Sequence, residues 1–580
     1  MVFTGAQVTP LSKSPQYPCS LLELQDARII LDCALEVVVN TASNERTPTW
    51  VVPPFLDCDI ESVEAVILTN CYNALALPFL TEYTKFAGAI YATEPTVEFA
   101  RLLLEELVNT FARDQHRGGE ACPVRWGSDS IPLYSLHDIQ SCLAKIRLLH
   151  YAEIKELNDH GDHIVLTPLS SGFCLGSANW IIETPNGKIS YIAASSNSEI
   201  GHSAMIDLRA FAEMDAAIIT QVGSPRRDPS LLKNSISDML RVVVRALENR
   251  GNVLFPCFPC GTMFDVIGFV SDYIKAAGYL DTPMHVVSPL AKRALHMANI
   301  QGEWMSADKQ SSLYQARQPL RHGQLLEERS LHYHETPETV FSFRGPHIVF
   351  AGYAGPLSGD AEIFLKKWSQ NANNLLVLTE PLAKGSIPME DGFSMQICEC
   401  LIETRPSRDD LISKLNANRV FYLRGAKNPG NLPISPSPTM QALPLVPLQI
   451  GTIPFTRDVV KATILEEVAR VTLSQADAVV IGGSISTKES ALCTIQALPH
   501  ATVPGYNNRA IAEQIAADCA SQLGPARMQF FPTGIVLDWG NGAHKIALEQ
   551  DDIRIEAADV HVLEILRSTA GSRINSAQNH

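Results

Sequence analysis

Residues Ala65 to Leu80 read AVILTNCYNALALPFL: an unbroken apolar run, a polar break from Thr69 to Asn73, and a second apolar run that opens with Ala-Leu-Ala-Leu-Pro. Successive side chains of a strand leave by opposite faces, so a strand with no polar residue needs cover on both. The chain must therefore build a sheet sandwiched by helices, with the polar break lying where such strands end. The residues at that break are Thr69, Asn70, Cys71, Tyr72 and Asn73, with no histidine among them.

With 580 residues the chain has room for roughly two to four domains. Its 46 Lys and Arg against 62 Asp and Glu give a net charge of −16, which opposes broad binding to a phosphate backbone and leaves only local basic patches. Thirteen cysteines, odd in number and scattered, with no charged-then-apolar leader before them, point to a reducing compartment, cytosolic or nuclear. No apolar run reaches the roughly 18 residues of a membrane span.

In chain order, Leu21 to Val39 alternates strands and ends one of them at Asp32-Cys33; Asp32 is either a turn-former or a residue that steadies a metal ligand. A strand at Ala89 to Ala92 leads through Glu94-Pro95-Thr96 into an amphipathic helix, with Phe99, Leu102, Leu103, Leu107 and Phe111 inward and Glu98, Arg101, Glu105 and Glu106 outward. Residues 146 to 196 return to strands. Within them Asp159 to His163 (DHGDH) reads as a hydrated turn, although its composition would also suit a metal. From about Leu208 strands and helices alternate: strand Ala216 to Thr220, helix Leu231 to Asn249, strand Asn252 to Phe255, helix Gly261 to Ala277, strand His285 to Ser288 and strand His347 to Phe350. Cys257-Phe258-Pro259-Cys260 has redox or zinc spacing but no second pair nearby, so it reads as core packing. His332-Tyr333-His334, among Glu327, Glu328, Glu335 and Glu338, reads as a solvated, mobile segment. Strands at Leu375 to Thr379 and Gln396 to Leu401 are expected to rejoin the first sheet. Seven prolines between Lys427 and Pro454 predict an extended linker. A last domain follows, with a helix at Asn508 to Leu523, a strand meander with a Gly540-Asn541-Gly542 turn, and a helix at Asp559 to Thr569.

The phrases YATEPTVEFARLLLEELV (91 to 108) and VLTPLSSGFCLGSANWII (165 to 182), with RGNVLFPCFPCG (250 to 261) and the layout of an α/β insert within a sheet sandwich, resemble the metallo-β-lactamase/β-CASP nucleases that cut RNA during 3′-end formation, in their Integrator branch. The resemblance implies an α/β fold: a metallo-β-lactamase αββα sandwich with an inserted β-CASP α/β domain, plus a small α+β C-terminal dimerisation domain. The implied boundaries are 1–207 and 388–426 for the sandwich, 208–387 for the insert, 427–476 for a Pro-rich linker with part of the sandwich, and 477–580 for the last domain.

Active members hold two zinc ions with a His-x-His-x-Asp-His loop and later His and Asp residues. Carried across residue by residue, the first motif's Asp matches Asp32, the loop ligands fall on Asn70, Tyr72 and Asn73, and the His of Gly-His-x-Leu-Gly becomes Phe173. The bridging Asp becomes Ala194, the acidic residue opening the insert becomes Thr220, and the last two histidines fall near Ile402 and on Arg424. Zinc needs imidazole, thiolate or carboxylate donors, so this set implies no metal, no cofactor and no lowered water pKa. Cys71 is a weak replacement nucleophile, having no histidine close in sequence to draw off its proton.

The resemblance further implies a nuclear pseudo-nuclease that pairs with the active endonuclease, Integrator subunit 11, with Integrator subunit 4 completing the module, RNA polymerase II in the wider complex and RNA met at most indirectly; a third expectation is that the pocket still touches RNA or an anionic ligand through Arg424 or Lys427. The expected seam is Phe530, Phe531, Ile535, Leu537, Trp539, Val560 and Leu563. The competing expectation is an active hydrolase with a non-standard site at DHGDH or Cys257/Cys260.

Overall fold

The computed structural model describes residues 5–25, 27–39, 48–116, 124–157, 164–212, 214–223, 230–315, 317–352, 359–379, 392–415, 417–423, 441–445, 449 and 451–454, and beyond these the strands between 462 and 557. DHGDH, Arg424, Lys427, Val560, Leu563 and both expected C-terminal helices lie outside the described residues. Residues Gly5–Ile453 form one compact unit, and Pro454–His580 with Met1–Thr4 another.

The first unit is built on two seven-stranded sheets. One runs Ile146–Leu148, Ala89–Ala92, Ala65–Ile67, Arg28–Leu31, Ser20–Glu23, Gly5–Pro10, Gly451–Pro454; the other runs Lys155–Leu157, Ile164–Ser170, Ala178–Thr184, Gly187–Ile192, Met214–Ile219, Ala417–Leu423, Gln441–Leu445. The sheets are tied face to face by the Trp180 indole, which donates to the Leu68 carbonyl at 3.0 Å, and by the Ala178 amide, which donates to Thr69 at 2.7 Å. Strand alternation then dictates the outer layers. Tyr191 turns inward, whereas Ile192, Ala217, Ile219 and Val420 turn out against Leu411 and Ile412 of the helix Arg408–Lys414. On the other side Ala65–Ile67 is buried at every residue, under the helices Leu77–Tyr83 and Glu94–His116. This is the expected αββα sandwich, and the Pro-rich stretch contributes a strand to each sheet.

The helix Glu94–His116 begins where two of the distinctive sequence phrases meet. Thr93 accepts from the Thr96 amide, satisfying a free N–H of the first turn, and both hydroxyls donate to the Gly176 carbonyl, at 2.5 and 3.1 Å. Its apolar face is buried as predicted at Phe99, Leu102, Leu103 and Leu107, but Glu106, expected outward, is buried too. Arg113, at 3.3 Å, and Ser288 hold its carboxylate, and Arg113 also reaches Asp360 at 2.8 Å. Burial raises Glu106 to about 7.

The insert is an all-parallel six-stranded sheet ordered Leu331–His334, Met284–Val287, Ile348–Ala351, Val253–Pro256, Leu375–Leu378, Gln396–Glu399. Two expectations are corrected here. Met214–Ile219 pairs in the second sandwich sheet, so the insert's own sheet starts later in the chain. Leu375–Leu378 and Gln396–Glu399 stay in the insert, and it is Ala417–Leu423 that returns to the sandwich. Parallel strands buried on both faces look alike in sequence, so their pattern does not tell which sheet each one joins.

Beyond residue 454, Arg527–Phe531, Gly534–Trp539, His544–Glu549 and Ile553–Ala557 pair as an antiparallel meander. Its register separates two sets of positions. One holds Met528, Phe530, Ile535, Leu537, Trp539, Ile546, Leu548, Ile553 and Ile555; the other carries a row of alternating charge, Arg527, Asp538, Lys545, Glu556.

Candidate functional site

The break after Ala65–Ile67 becomes a short turn of 3-10 helix, Cys71–Ala74, capped by Asn70, whose side-chain oxygen accepts from the Tyr72 amide at 3.1 Å. Asn70 and Asn73 are fully buried and enclose Asp32, which sits at φ 60, a left-handed conformation that Asp tolerates better than most residues. One Asp32 oxygen accepts from the Thr69 amide at 2.7 Å and the Thr69 hydroxyl at 2.9 Å. The other accepts from Thr69 Oγ1 at 2.7 Å, Tyr191 Oη at 2.8 Å and Asn73 Nδ2 at 2.9 Å. Asn73 in turn exchanges two hydrogen bonds with Gln221, both 2.9 Å, and Gln221 Nε2 also donates to the Gln16 carbonyl at 3.0 Å. Burial pushes the Asp32 carboxyl up to about 7, against the pull of these donors. Asp32 is thus the hub of a closed polar network and not a surface turn. Gln221, Thr69 and Tyr191 carry no sequence signal of that role; Gln221 merely follows Thr220.

A zinc pair does not fit this set. Asn70 Oδ1 is taken by the Tyr72 amide and Asn73 Oδ1 by Gln221, while Asp32 is ringed by donors whose hydrogens point at it. Phe173 lies edge-on to Tyr72, centroids 6.1 Å apart, with the Arg405 guanidinium 5.9 Å from its ring. That guanidinium is itself held by both Glu403 oxygens, at 2.6 and 2.7 Å. Gly172 stands at φ +75, and a Cβ there would meet the Ser196 carbonyl at 2.4 Å, so the turn presenting Phe173 requires glycine. Ala194 is buried beyond the strand Gly187–Ile192; the Thr220 hydroxyl donates to Pro15; Ile402 is buried in the core, its amide on Thr379. Asn70, Asn73 and Asp32 converge, and Tyr72 meets Phe173.

Cys71 and Cys260 are buried with sulfurs 3.6 Å apart. Burial, with Cys174 and Cys260 beside it, holds the Cys71 thiol well above its ordinary value, so it has no thiolate with which to attack a substrate.

The His332-Tyr333-His334 segment is corrected most. It lies on the edge strand of the insert's sheet, where His332 pairs in register with His285. His285 is fully buried; its Nδ1 is 3.0 Å from His334 Nε2, and the ring centroids of His332 and His347 stand 5.6 and 5.3 Å from its own. Burial, then the neighbouring imidazoles, lower His285 to about 3, and burial also lowers His334 and His347. A histidine with a depressed folded value contributes full stability above its unfolded value of about 6.5 and loses it as pH falls towards the folded one, at about 1.4 kcal/mol per pH unit. Asp32 and Glu106, raised to about 7, act in the opposite direction. The readout is therefore a difference: between pH 6.5 and 4.5 in EDTA, urea unfolding of the wild type is expected to lose about 2 kcal/mol relative to His285→Gln. Parallel pH profiles would show that His285 keeps an ordinary pKa.

Residues 21–207 match the metallo-beta-lactamase superfamily domain. Integrator complex subunit 9 of Homo sapiens is 30% identical over 457 residues, spanning 68% of this chain and 68% of the human protein. The Integrator complex subunit 9 homolog of Nematostella vectensis is 31% identical over 456 residues, 67% of each chain. A Drosophila melanogaster protein named probable cleavage and polyadenylation specificity factor subunit 2 is 23% identical over 389 residues, covering 66% of this chain and 47% of the fly protein.

Proposed function

The chain belongs to the Integrator complex subunit 9 family of metallo-β-lactamase-fold proteins, and from that premise we propose that it is a catalytically inactive scaffold and regulatory subunit of the Integrator cleavage module. It pairs with the active endonuclease, Integrator subunit 11, and with subunit 4, within the nuclear complex that works with RNA polymerase II, for 3′-end processing of small nuclear RNA and attenuation of nascent transcripts. The observation that carries this is the sealed network at Asp32, Asn70, Asn73 and Gln221, where every oxygen that could face a metal already accepts a hydrogen bond. Without a metal-bound water, phosphodiester hydrolysis lacks both its nucleophile and the charge that steadies its transition state. The apolar positions of the C-terminal meander are the pairing seam in this reading, with residues 477–580 as the dimerisation domain. The net charge of −16 fits a subunit that leaves RNA to its partner.

In the reconstituted pair, replacing the partner's zinc ligands is expected to lower RNA cleavage at least about 1,000-fold, while Asn70→Ala in this chain leaves the rate per assembled complex within about twofold. Cleavage that survives loss of the partner's ligands and falls with Asn70→Ala would place a working site here and end the scaffold reading.

A further inference from the structure

We infer that the insert is seated on the sandwich as a closed lid, its Cys260-Gly261 turn resting on the loop that surrounds Asp32, and that the seam between the two opens only when the chain unfolds. The contact begins at that turn. Gly261 stands at φ +57, and a Cβ there would come within 2.9 Å of Tyr72 Oη, so it is glycine that lets the insert come down this far onto the Cys71–Ala74 turn. Beside it Cys71 and Cys260, one from each half, bring their sulfurs to 3.6 Å, and both are buried.

A second fastening lies at His202, in the segment after the strand Gly187–Ile192. Its Nδ1 is 2.8 Å from Asp265 Oδ2 on the insert helix Met263–Ala276, and the two side chains are only 2% and 9% exposed, so parting them would strand polar groups that water does not reach in place. Next to this pair the Ser306 amide donates to the His202 carbonyl at 2.9 Å, and Trp304 packs on His150 and Tyr151 with ring centroids 5.5 and 4.7 Å apart. The apolar contact is continuous as well. Phe99 of the helix Glu94–His116 meets Phe264 of the insert at 6.1 Å, and both belong to one hydrophobic core that runs from Cys71 and Leu103 to Phe255 and Phe258. Segments that open locally have few buried apolar contacts, whereas a hinge motion here would expose this core and break the His202 pair together. A polymer entering between the halves would have to displace the same groups. The lid is thus a barrier separate from the lost ligands; it goes beyond the scaffold reading and holds whichever partner the chain binds.

The test treats the full-length chain with N-ethylmaleimide and follows each cysteine by peptide mass spectrometry. Cys142 is the reference, because it is buried on the sandwich helix Leu136–Ala144, beside Thr81. In the wild type, Cys71 and Cys260 are expected to react within about threefold of Cys142, both alone and with a single-stranded oligouridylate in excess. Gly261→Val puts a branched side chain at φ +57 and against Tyr72, and should speed both seam cysteines at least about tenfold over Cys142. His202→Ala should do the same through the second fastening, and serves alone if the valine variant does not fold. The readout is a ratio within one chain, so a general loss of stability, which speeds all three thiols, does not mimic an opening seam. Wild-type Cys71 and Cys260 reacting about 100-fold ahead of Cys142, a ratio raised by the oligouridylate, or a ratio unmoved by the substitutions would each overturn the closed lid. None of these outcomes measures cleavage or pairing, so the scaffold reading stands or falls separately.

Discussion

Removal of residues 477–580 is expected to abolish co-purification with the active paralogue, an affinity loss of at least about 100-fold, because it deletes the meander that carries the seam in the proposed reading. The register makes the expectation sharper than truncation alone. Leu537 pairs with Met528 and Ile546, at the centre of the apolar set, so Leu537→Asp should weaken pairing about 30-fold or more. Lys545, between Asp538 and Glu556 in the charged row, should tolerate Lys545→Gln with less than about a threefold change. Phe530, Ile535 and Trp539 share the Leu537 set, whereas Phe531 falls on the other, so Phe531→Ala is the substitution expected to spare pairing among the seam residues. Pull-down and size-exclusion chromatography of the co-expressed pair decide it. A truncated chain that still co-elutes would move the seam to the first unit.

What was legible in the sequence was whatever repeats locally. The apolar strand Ala65–Ile67, the buried face of Glu94–His116 and the hairpin signal near Gly540 each announce themselves within a dozen residues. The carry-over that puts Asn70, Tyr72, Asn73, Phe173 and Ala194 at ligand positions rests on the surrounding strands keeping their pattern. The hydrogen bonds that close around Asp32 were not visible. Asp32 is one residue past a strand in sequence, and the groups that define it arrive from Thr69, Asn73 and, 159 positions away, Tyr191. Glu106 fits an outward helical face until Arg113 and Ser288 close over it, and four histidines spread from 285 to 347 become neighbours only through parallel strand register. Periodicity reports which face is apolar, but not which polar residues pair across the fold.

Asp32→Ala is expected to destabilise the sandwich by about 2–5 kcal/mol, although Asp32 performs no chemistry in the proposed role. The size follows from who is left without an acceptor. Asn73 Nδ2 keeps Gln221 and the Thr69 hydroxyl, but the Thr69 amide and the Tyr191 hydroxyl have only Asp32, and each buried orphan costs about 1–3 kcal/mol. Asp32→Gly orphans the same donors yet suits φ 60, so it should cost about 1 kcal/mol less than alanine, which separates backbone strain from lost hydrogen bonds. The pH dependence has a definite sign. The folded value of about 7 lies above the unfolded value near 4, so the contribution of Asp32 is fully present below pH 4 and declines as pH rises through 7. The cost of Asp32→Ala, read from urea unfolding, should therefore shrink by about 1–3 kcal/mol from pH 5 to pH 8. A cost that grew over that interval would mean that the carboxylate is stabilised as an anion, the state a metal-supporting aspartate would need. In the reconstituted pair the same variant should lower the yield of assembled complex while leaving cleavage per complex unchanged, because a scaffold acts through the amount of partner it holds and not through the rate of the chemical step.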